Sequence, residues 1–127
     1  MFTISKEFSF SAGHQLVGLP ESHPCSNPHG HNYVIIIELS NTMLDEHGFV
    51  VDYRRLEPIK KFIDSTLDHK FLNDVLNFNP TAENIAKFIF NEFRKLYPQM
   101  TAVSVKETDK TLAKYSPDND PFPDKII

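Results

Sequence analysis

The sequence predicts an α+β domain in which two helices cover one face of an antiparallel four-stranded sheet, in the order β-β-α-α-β-β. Three observations lead to this prediction. Apolar and polar residues alternate at the start of the chain, apolar residues recur at helical spacing in its centre, and alternation returns near its end. Strands grouped on either side of a run of helices favour separate layers of helix and sheet.

The composition fits one folded domain. The chain has 127 residues, of which 40% are hydrophobic and 24% charged, and its formal net charge is −4. This acidic balance excludes a global electrostatic attraction to nucleic acid. The longest aliphatic run, at residues 34–37, is too short to cross a membrane, and the first residues lack a signal-peptide pattern. We therefore expect a cytoplasmic protein with one domain over residues 1–116.

Alternation identifies the first strand. Between residues 2 and 11 every even position except Lys6 is apolar, and the odd positions are polar. A half-buried strand has this pattern, because successive side chains point to opposite faces of a sheet. A polar loop with two prolines follows at residues 22–32 and leads into the largely apolar residues 32–39, which predict a well-buried second strand.

A turn and a helix are expected next. Residues 45–48 have turn composition and precede the apolar residues 49–51, which predicts a hairpin with a returning strand. Beyond the N-cap candidate Asp52 the apolar spacing becomes helical, and Pro58 is tolerated in a first turn because its missing N–H has no partner there. The apolar face of this first helix consists of Leu56, Ile59, Ile63 and Leu67.

The second helix and the last two strands complete the domain. Thr81 is the expected N-cap of the second helix, and Pro98 follows its end. Its apolar stripe consists of Ile85, Phe88, Ile89, Phe93 and Leu96. Residues 101–108 and 112–115 predict strands, and residues 117–127, rich in proline and aspartate, are expected to form a mobile tail.

Three histidines are candidate metal ligands. His29 and His31 stand two positions apart at the start of the second strand and therefore point to one face. His14 ends the first strand and approaches this pair if the two strands are antiparallel neighbours. Three imidazole nitrogens suit Zn²⁺ and leave its fourth position for water or substrate; a chance surface pair is the alternative. We expect His23 and His47 to be solvated.

Cys25 is the only cysteine of the chain, which excludes an internal disulfide. It precedes His29 by four residues, within reach of the same cavity. Three interpretations stay open at this point: a thiolate base whose pKa a nearby metal lowers, the fourth ligand of a closed structural site, and an inert loop thiol. A closed Cys-His₃ site would make the protein a zinc-stabilised assembly module rather than an enzyme.

Two carboxylates lie at positions that suit proton transfer or ligand binding. Asp68 precedes His69 where the first helix ends, and an adjacent carboxylate orients an imidazole and raises its basicity; an ordinary helix terminus is the alternative. Glu107 shares the parity of Val103 and Val105, so its carboxylate points inward and needs a donor. A ligand with a guanidine-like N–H edge supplies one, and so does a structural donor within the protein.

A series of short motifs runs along almost the whole domain, from about residue 5 to residue 115. It consists of Phe10-Ser11-Ala12-Gly13-His14, Cys25, His29-Gly30-His31-Asn32-Tyr33, Val51-Asp52-Tyr53, Leu67-Asp68-His69, Pro80-Thr81 and Glu107-Thr108. In this order the motifs resemble the signature series of the 6-pyruvoyl-tetrahydropterin synthase and 6-carboxy-tetrahydropterin synthase family. Each motif alone is weak, whereas the complete series is specific.

The resemblance implies that His14, His29 and His31 bind zinc and that Cys25 is the proton-abstracting base. It implies that Asp68 and His69 complete the catalytic set, and that Glu107 anchors the pterin with help from Thr81. The implied fold is the tunnelling fold (T-fold), in which the sheets of several subunits join into a barrel, as a trimer or a hexamer. The implied active sites lie between subunits, so that His69 serves the Cys25 of a neighbour.

The implied substrate is 7,8-dihydroneopterin triphosphate, and no external redox cofactor is required. The short spacing between Cys25 and His29 is similar to that of the carboxy-forming branch, which feeds queuosine biosynthesis and releases triphosphate and acetaldehyde. The segment Ser26-Asn27-Pro28 is similar to the pyruvoyl-forming branch, which keeps the three-carbon side chain, and that alternative stays open. Three lysines are candidates for holding the triphosphate, namely Lys106, Lys110 and Lys114. The alternative is that they form a solvated basic edge.

Overall fold

The computed structural model describes residues 1–126, and a four-stranded antiparallel sheet in the order β1-β2-β3-β4 is its central feature. The strands are β1 (Phe2–His14), β2 (His29–Asn41), β3 (Met100–Lys106) and β4 (Ala113–Tyr115). Each strand is antiparallel to its neighbour in the sheet. The predicted α+β architecture and the order of its main elements are therefore confirmed.

The first two strands form the longest ladder of the sheet. Both contain 13 residues, and they pair from Phe2 opposite Asn41 to His14 opposite His29. On the face that meets the helices, β1 buries Phe8 and Phe10, and β2 buries its odd-numbered residues from 33 to 39. This buried face makes the register specific, because a slip by one residue would turn every side chain to the opposite face.

The helical layer is more segmented than the sequence predicts. It contains α1 (Glu57–Phe62), the one-turn helix α2 (Leu72–Val75) and α3 (Ala82–Phe93). A 3-10 helix (Tyr53–Leu56) precedes α1, and a π-helical turn (Ile63–Leu67) continues it. The predicted first helix is therefore a continuous helical segment that changes from 3-10 to α to π hydrogen bonding. Among residues 1–126, no helix has the length and apolar character that crossing a membrane requires.

The predicted hairpin forms its turn but not its strand. The N–H of Gly48 donates to the carbonyl oxygen of Asp45, and Gly48 has a φ of +85°, a conformation that favours glycine. The prediction of a strand at residues 49–51 is wrong: Val50 and Val51 are buried in the core without strand pairing. β2 already has β1 on one side and β3 on the other, which leaves no edge for a returning strand.

The segment after β4 packs against α3. Lys87 Nζ lies 2.9 Å from Asp120 Oδ2 and donates to the carbonyl oxygen of Phe122 at 2.7 Å, and the Tyr115 hydroxyl donates to Asp120 at 2.8 Å. The hydrogen bond from Lys87 holds the pKa of Asp120 below its usual range. Mobility of residues 117–127 stays a prediction, and it requires these contacts to break. The last residue of this tail, Ile127, lies outside the described residues.

Candidate metal centre and its surroundings

The β1–β2 ladder brings three histidines together at one end of the sheet. His14 lies directly opposite His29, and His31 lies opposite Ala12. Opposite residues of an antiparallel pair share a face, as do positions i and i+2 of a strand, so all three rings project to the same side. One ligand atom from each histidine lies within 4.8 Å of the other two, which makes the group able to hold a metal ion.

The ring nitrogens of this group are arranged for a cation. Nδ1 of His14 donates to the carbonyl oxygen of Pro80 at 2.7 Å, and Nδ1 of His29 donates to that of Asn27 at 2.8 Å. Because a carbonyl only accepts, the hydrogen of each neutral ring is on Nδ1, and the two unprotonated Nε2 atoms face each other at 2.8 Å. Nε2 of His31 is buried and has no hydrogen-bond partner among residues 1–126. The facing lone pairs of His14 and His29 repel unless a cation lies between them, and His31 offers a third ligand atom close by, so the donor set fits a metal ion.

His14 is the most enclosed of the three ligands. Its side chain is fully buried, and this burial lowers its pKa, which favours the neutral imidazole that metals bind. The Tyr33 oxygen lies 3.1 Å from the same Nδ1, and the Tyr33 ring stacks on Phe10 with 4.7 Å between centroids. Burial also raises the pKa of Tyr33, which therefore remains a neutral phenol. These contacts fix the orientation of the His14 ring, as hydrogen bonds to the second ring nitrogen do in metal-binding histidines.

The start of α3 is tied to the histidine group. Pro80, whose carbonyl accepts from His14, directly precedes Thr81. The Thr81 hydroxyl accepts the N–H of Asn84 at 3.1 Å, so Thr81 is the N-cap of α3, as its sequence context predicts. A contact between Thr81 and a pterin stays a prediction.

Glu107 directly follows β3 and approaches the histidine group from the neighbouring strand. Its Oε2 lies 3.4 Å from Nε2 of His31, without the alignment of a hydrogen bond. Within residues 1–126 its carboxylate accepts no hydrogen bond from an arginine or a backbone N–H, which leaves its oxygens available to a ligand. It also lines a cavity of about 210 Å³ together with Val105, Thr111 and Leu112.

Cys25 lies in the loop between β1 and β2, in a short 3-10 helix (Pro24–Ser26). Its carbonyl oxygen accepts the N–H of Leu16 at 2.9 Å, which places this turn beside the end of β1. Among the described residues the metal-competent group contains the three histidines without Cys25. The geometry therefore favours an open three-ligand site over a closed Cys-His₃ site.

His23 has a partner that the sequence analysis missed. Its Nδ1 accepts the N–H of Cys25 at 3.0 Å, and His23 is the N-cap of the 3-10 helix. The expectation that His23 is exposed to solvent is confirmed, and the bond to Cys25 is a local contact in addition. A signal was present in the sequence, because Pro24 directly follows His23 and proline is typical of the first position after a cap.

Asp68 and His69 form a carboxylate–imidazole pair beside β1. Asp68 Oδ2 lies 2.8 Å from His69 Nδ1, while Asp68 Oδ1 accepts the N–H of Ser11 at 3.0 Å. The Ser11 bond and the His69 bond hold the pKa of Asp68 below its usual range. The N–H of His69 donates to the Ser11 carbonyl at 2.7 Å, and its φ of +58° turns the ring outward, leaving 84% of the side chain exposed.

Known proteins share this sequence pattern and this fold. Residues 3–118 match a family model described as 6-pyruvoyl tetrahydropterin synthase. The 6-carboxy-5,6,7,8-tetrahydropterin synthase of Haemophilus influenzae is 34% identical, over 91% of this chain and 99% of that protein. The Synechocystis protein of the same name is 35% identical, over 91% and 93%. The structure of Caenorhabditis elegans 6-pyruvoyl tetrahydropterin synthase aligns with a TM-score of 0.80 at 27% identity, over 91% of this chain and 94% of that one.

Proposed function

Because the chain belongs to the 6-pyruvoyl tetrahydropterin synthase family, we propose that it is a zinc-dependent lyase that converts 7,8-dihydroneopterin triphosphate to 6-carboxy-5,6,7,8-tetrahydropterin. Relatives that carry the carboxy name at 34% and 35% identity support the choice of product. The observation that carries the chemistry is the group of three histidines, whose ligand atoms lie within 4.8 Å of one another, with no fourth residue in the group among residues 1–126.

His14, His29 and His31 would hold the metal ion. Imidazole nitrogens suit Zn²⁺, and three protein ligands with one open position are typical of catalytic zinc. When bound, the ion supplies Lewis acidity toward the side chain of the substrate. The hydrogen bonds from Nδ1 of His14 and His29 to backbone carbonyls keep both rings oriented.

Proton transfer is assigned to the groups in the loops. The Cys25 thiolate removes a proton from the substrate side chain, and His69 returns or relays protons. Because Asp68 Oδ2 accepts from Nδ1 of His69, the exchangeable proton of that ring is at Nε2. The lowered pKa of Asp68 keeps its carboxylate charged, and its bond to Nδ1 orients the His69 ring.

Substrate binding is assigned to Glu107 and to nearby lysines. The Glu107 carboxylate has free oxygens that can accept two N–H groups from the guanidine-like edge of a pterin, and Thr81 is assigned a further contact with the pterin. Lys114 Nζ is paired with Glu38 at 2.9 Å, which reduces its availability to a triphosphate. Lys106 and Lys110 remain the stronger candidates for that role.

We further propose a closed homo-oligomer, a trimer or a hexamer, with active sites shared between subunits. Within the described chain, the outer edge of β1 is covered only near residues 11–13, where His69 and Lys70 form backbone hydrogen bonds with Ser11 and Gly13. The uncovered part is an edge strand, which proteins pair or protect. The exposed His69 ring is available to a neighbouring subunit's thiol.

Product analysis tests the activity. Purified, zinc-loaded protein is incubated with 7,8-dihydroneopterin triphosphate, and the pterin products are identified by mass spectrometry, with the Cys25→Ala variant as the matched control. We expect a 6-carboxy product together with acetaldehyde. A product that retains the three-carbon side chain would establish the pyruvoyl alternative, which the names of the family model and of the C. elegans protein support. Unchanged substrate would refute the proposed function.

A further inference from the structure

The turn that carries Cys25 is fixed at both backbone groups of that residue. The Cys25 carbonyl accepts from the N–H of Leu16 at 2.9 Å, a bond between two backbone groups. The Cys25 N–H instead donates to a side chain, Nδ1 of His23, at 3.0 Å. One of the two contacts that place the thiol-bearing residue therefore depends on the identity of a single side chain.

His23 has the local geometry of an N-cap, with a φ of −73° and a ψ of 129°. Serine, threonine, asparagine and aspartate are the usual residues at this position because their oxygen accepts a backbone N–H. Pro24 has no N–H, so the Cys25 N–H is the first donor of the turn that needs a partner. An imidazole accepts at Nδ1 only when it is neutral and carries its hydrogen at Nε2.

The backbone of His23 makes further bonds within the turn. Its carbonyl oxygen accepts from the N–H of Ser26 at 3.0 Å and from the Ser26 hydroxyl at 2.7 Å, and its own N–H donates to Pro20. Ser26 in turn accepts from Nε2 of Gln15 at 2.7 Å, and Gln15 directly follows His14. The chain of contacts thus runs from His23 to the end of β1 that carries the first histidine of the metal-competent group.

We propose that His23 is a positioning residue for Cys25: Nδ1 of the neutral ring fixes the Cys25 amide and thereby the place of the thiol relative to the three-histidine group. His23 is not a catalytic residue, since its described contacts are with the turn itself. The proposal rests on the proposed function only for the role of Cys25 as a base. Without the cap the thiol occupies several positions, and misplacing a reacting group by about 1 Å can cost up to ~10²-fold in rate.

Three variants separate the acceptor from the bulk of the ring. His23→Ala removes both, His23→Phe keeps a ring without an acceptor, and His23→Asn supplies an oxygen at a favoured cap. Because Cys25 is the only cysteine, the rate at which iodoacetamide modifies the protein reports on this thiol alone and requires no substrate. We expect His23→Ala and His23→Phe to be modified several-fold faster than wild type, because the half-buried thiol becomes more accessible, and His23→Asn to react at the wild-type rate.

Steady-state kinetics provide the second measurement. We expect kcat to fall about tenfold in His23→Ala and His23→Phe, with little change in KM, and to recover in His23→Asn. His47→Ala, which removes an exposed histidine from another loop, is the matched control and should change neither measurement. If His23→Ala fails to fold, the comparison of Phe with Asn carries the test.

Wild-type modification rates in His23→Phe, or failure of His23→Asn to restore them, would overturn the positioning role. The modification rates remain informative even if the protein turns out to have another activity. Failure of the proposed function appears instead as unchanged 7,8-dihydroneopterin triphosphate in the wild-type assay. Full activity of Cys25→Ala would remove only the role of Cys25 as a base, so these failures are distinguishable from failure of the positioning role.

Discussion

The three histidines and the two residues to which we assign proton transfer, Cys25 and His69, are held in place in different ways. His14, His29 and His31 project from a ladder of two 13-residue strands whose register is fixed by a buried face. Cys25 and His69 lie in turns and are placed by a few hydrogen bonds. The Leu16 N–H and the His23 ring contact the backbone of Cys25, and the Ser11 carbonyl accepts from the N–H of His69. The ladder resists local change because many bonds and buried side chains must move together, whereas a turn depends on a few contacts.

The two regions also differ in their exposure to water. His14 is fully buried and its pKa is lowered by burial, which keeps it neutral and able to bind a metal. His69 is 84% exposed and is paired with a charged Asp68. The comparison teaches that the metal-competent group contains a fully buried ring, whereas the imidazole to which we assign proton transfer is open to water. Changes in the first region should affect metal content, and changes in the second should affect rate or pH dependence.

The largest effect is expected from a change in the ladder. His31→Ala should lose most of the bound metal and almost all activity together, because it removes one of the three imidazoles that would hold the ion. Elemental analysis of the purified variant and turnover assays measure both. His47→Ala is the control, since it removes a histidine that is not in the group. Full metal occupancy with near-normal turnover would reject the metal assignment.

A change in the first turn should have a large effect on rate alone. Cys25→Ala should fold and retain its metal but lose at least ~10²-fold in kcat, the usual scale for a positioned base. Metal analysis, thermal denaturation and kinetics make the comparison, with Ser22→Ala as an exposed control in the same loop. Loss of metal and stability in Cys25→Ala would revive the closed Cys-His₃ site, and unchanged turnover would remove the role as base.

Glu107 belongs to neither region, although its Oε2 lies 3.4 Å from Nε2 of His31, and its substitution should sharpen the distinction between metal content and substrate affinity. Glu107→Gln keeps the shape of the side chain but removes the charge that strengthens hydrogen bonds from a pterin. We expect the Kd of a non-reactive pterin to rise about tenfold, while metal content stays unchanged. Calorimetric titration measures the affinity, with the exposed Glu92→Gln as control. Equal affinities for wild type and Glu107→Gln would argue against the anchor.

The smallest effect concerns the pH dependence of stability. The pKa of Asp68 is lowered by its bonds to the Ser11 N–H and to His69, so its contribution is present above the unfolded-state pKa of about 3.9. That contribution is lost as the pH falls through the lowered folded-state pKa. Asp68→Asn should therefore have a lower Tm than wild type at neutral pH, and the difference should shrink as the pH falls.

Thermal scans from neutral pH to about pH 3 measure this difference, since that range passes the unfolded-state pKa. The matched control is Asp118→Asn, an exposed aspartate near the end of the chain. A difference in Tm that stays constant with pH would mean that the charge of Asp68 does not contribute.

The same contrast explains what the sequence could predict. Convergence of His14 with His29 follows from two strands that are adjacent in sequence and antiparallel, so period-two patterning was sufficient to predict it. The cap of Cys25 by His23 was missed because histidine is rare at such positions and the bond is purely local. The helix at Leu72–Val75 is too short to show periodicity. Residues 49–51 are apolar because they cover the core, which patterning alone does not distinguish from a strand.

The bond between the Leu16 N–H and the Cys25 carbonyl has a consequence for how such chains change length over evolution. It joins the two ends of the segment 17–24, so extra residues at Gly18 would extend a closed loop without displacing its ends. Gly18 suits such an insertion, since nothing lies within 4 Å of the position where a Cβ would be. The entropic cost is small, about 0.6 kcal/mol for each doubling of a flexible loop. The segment from Cys25 to His29 is more constrained, because the Asn27 carbonyl accepts from the His29 ring. We therefore expect an insertion to disturb the histidine group less before the thiol than after it.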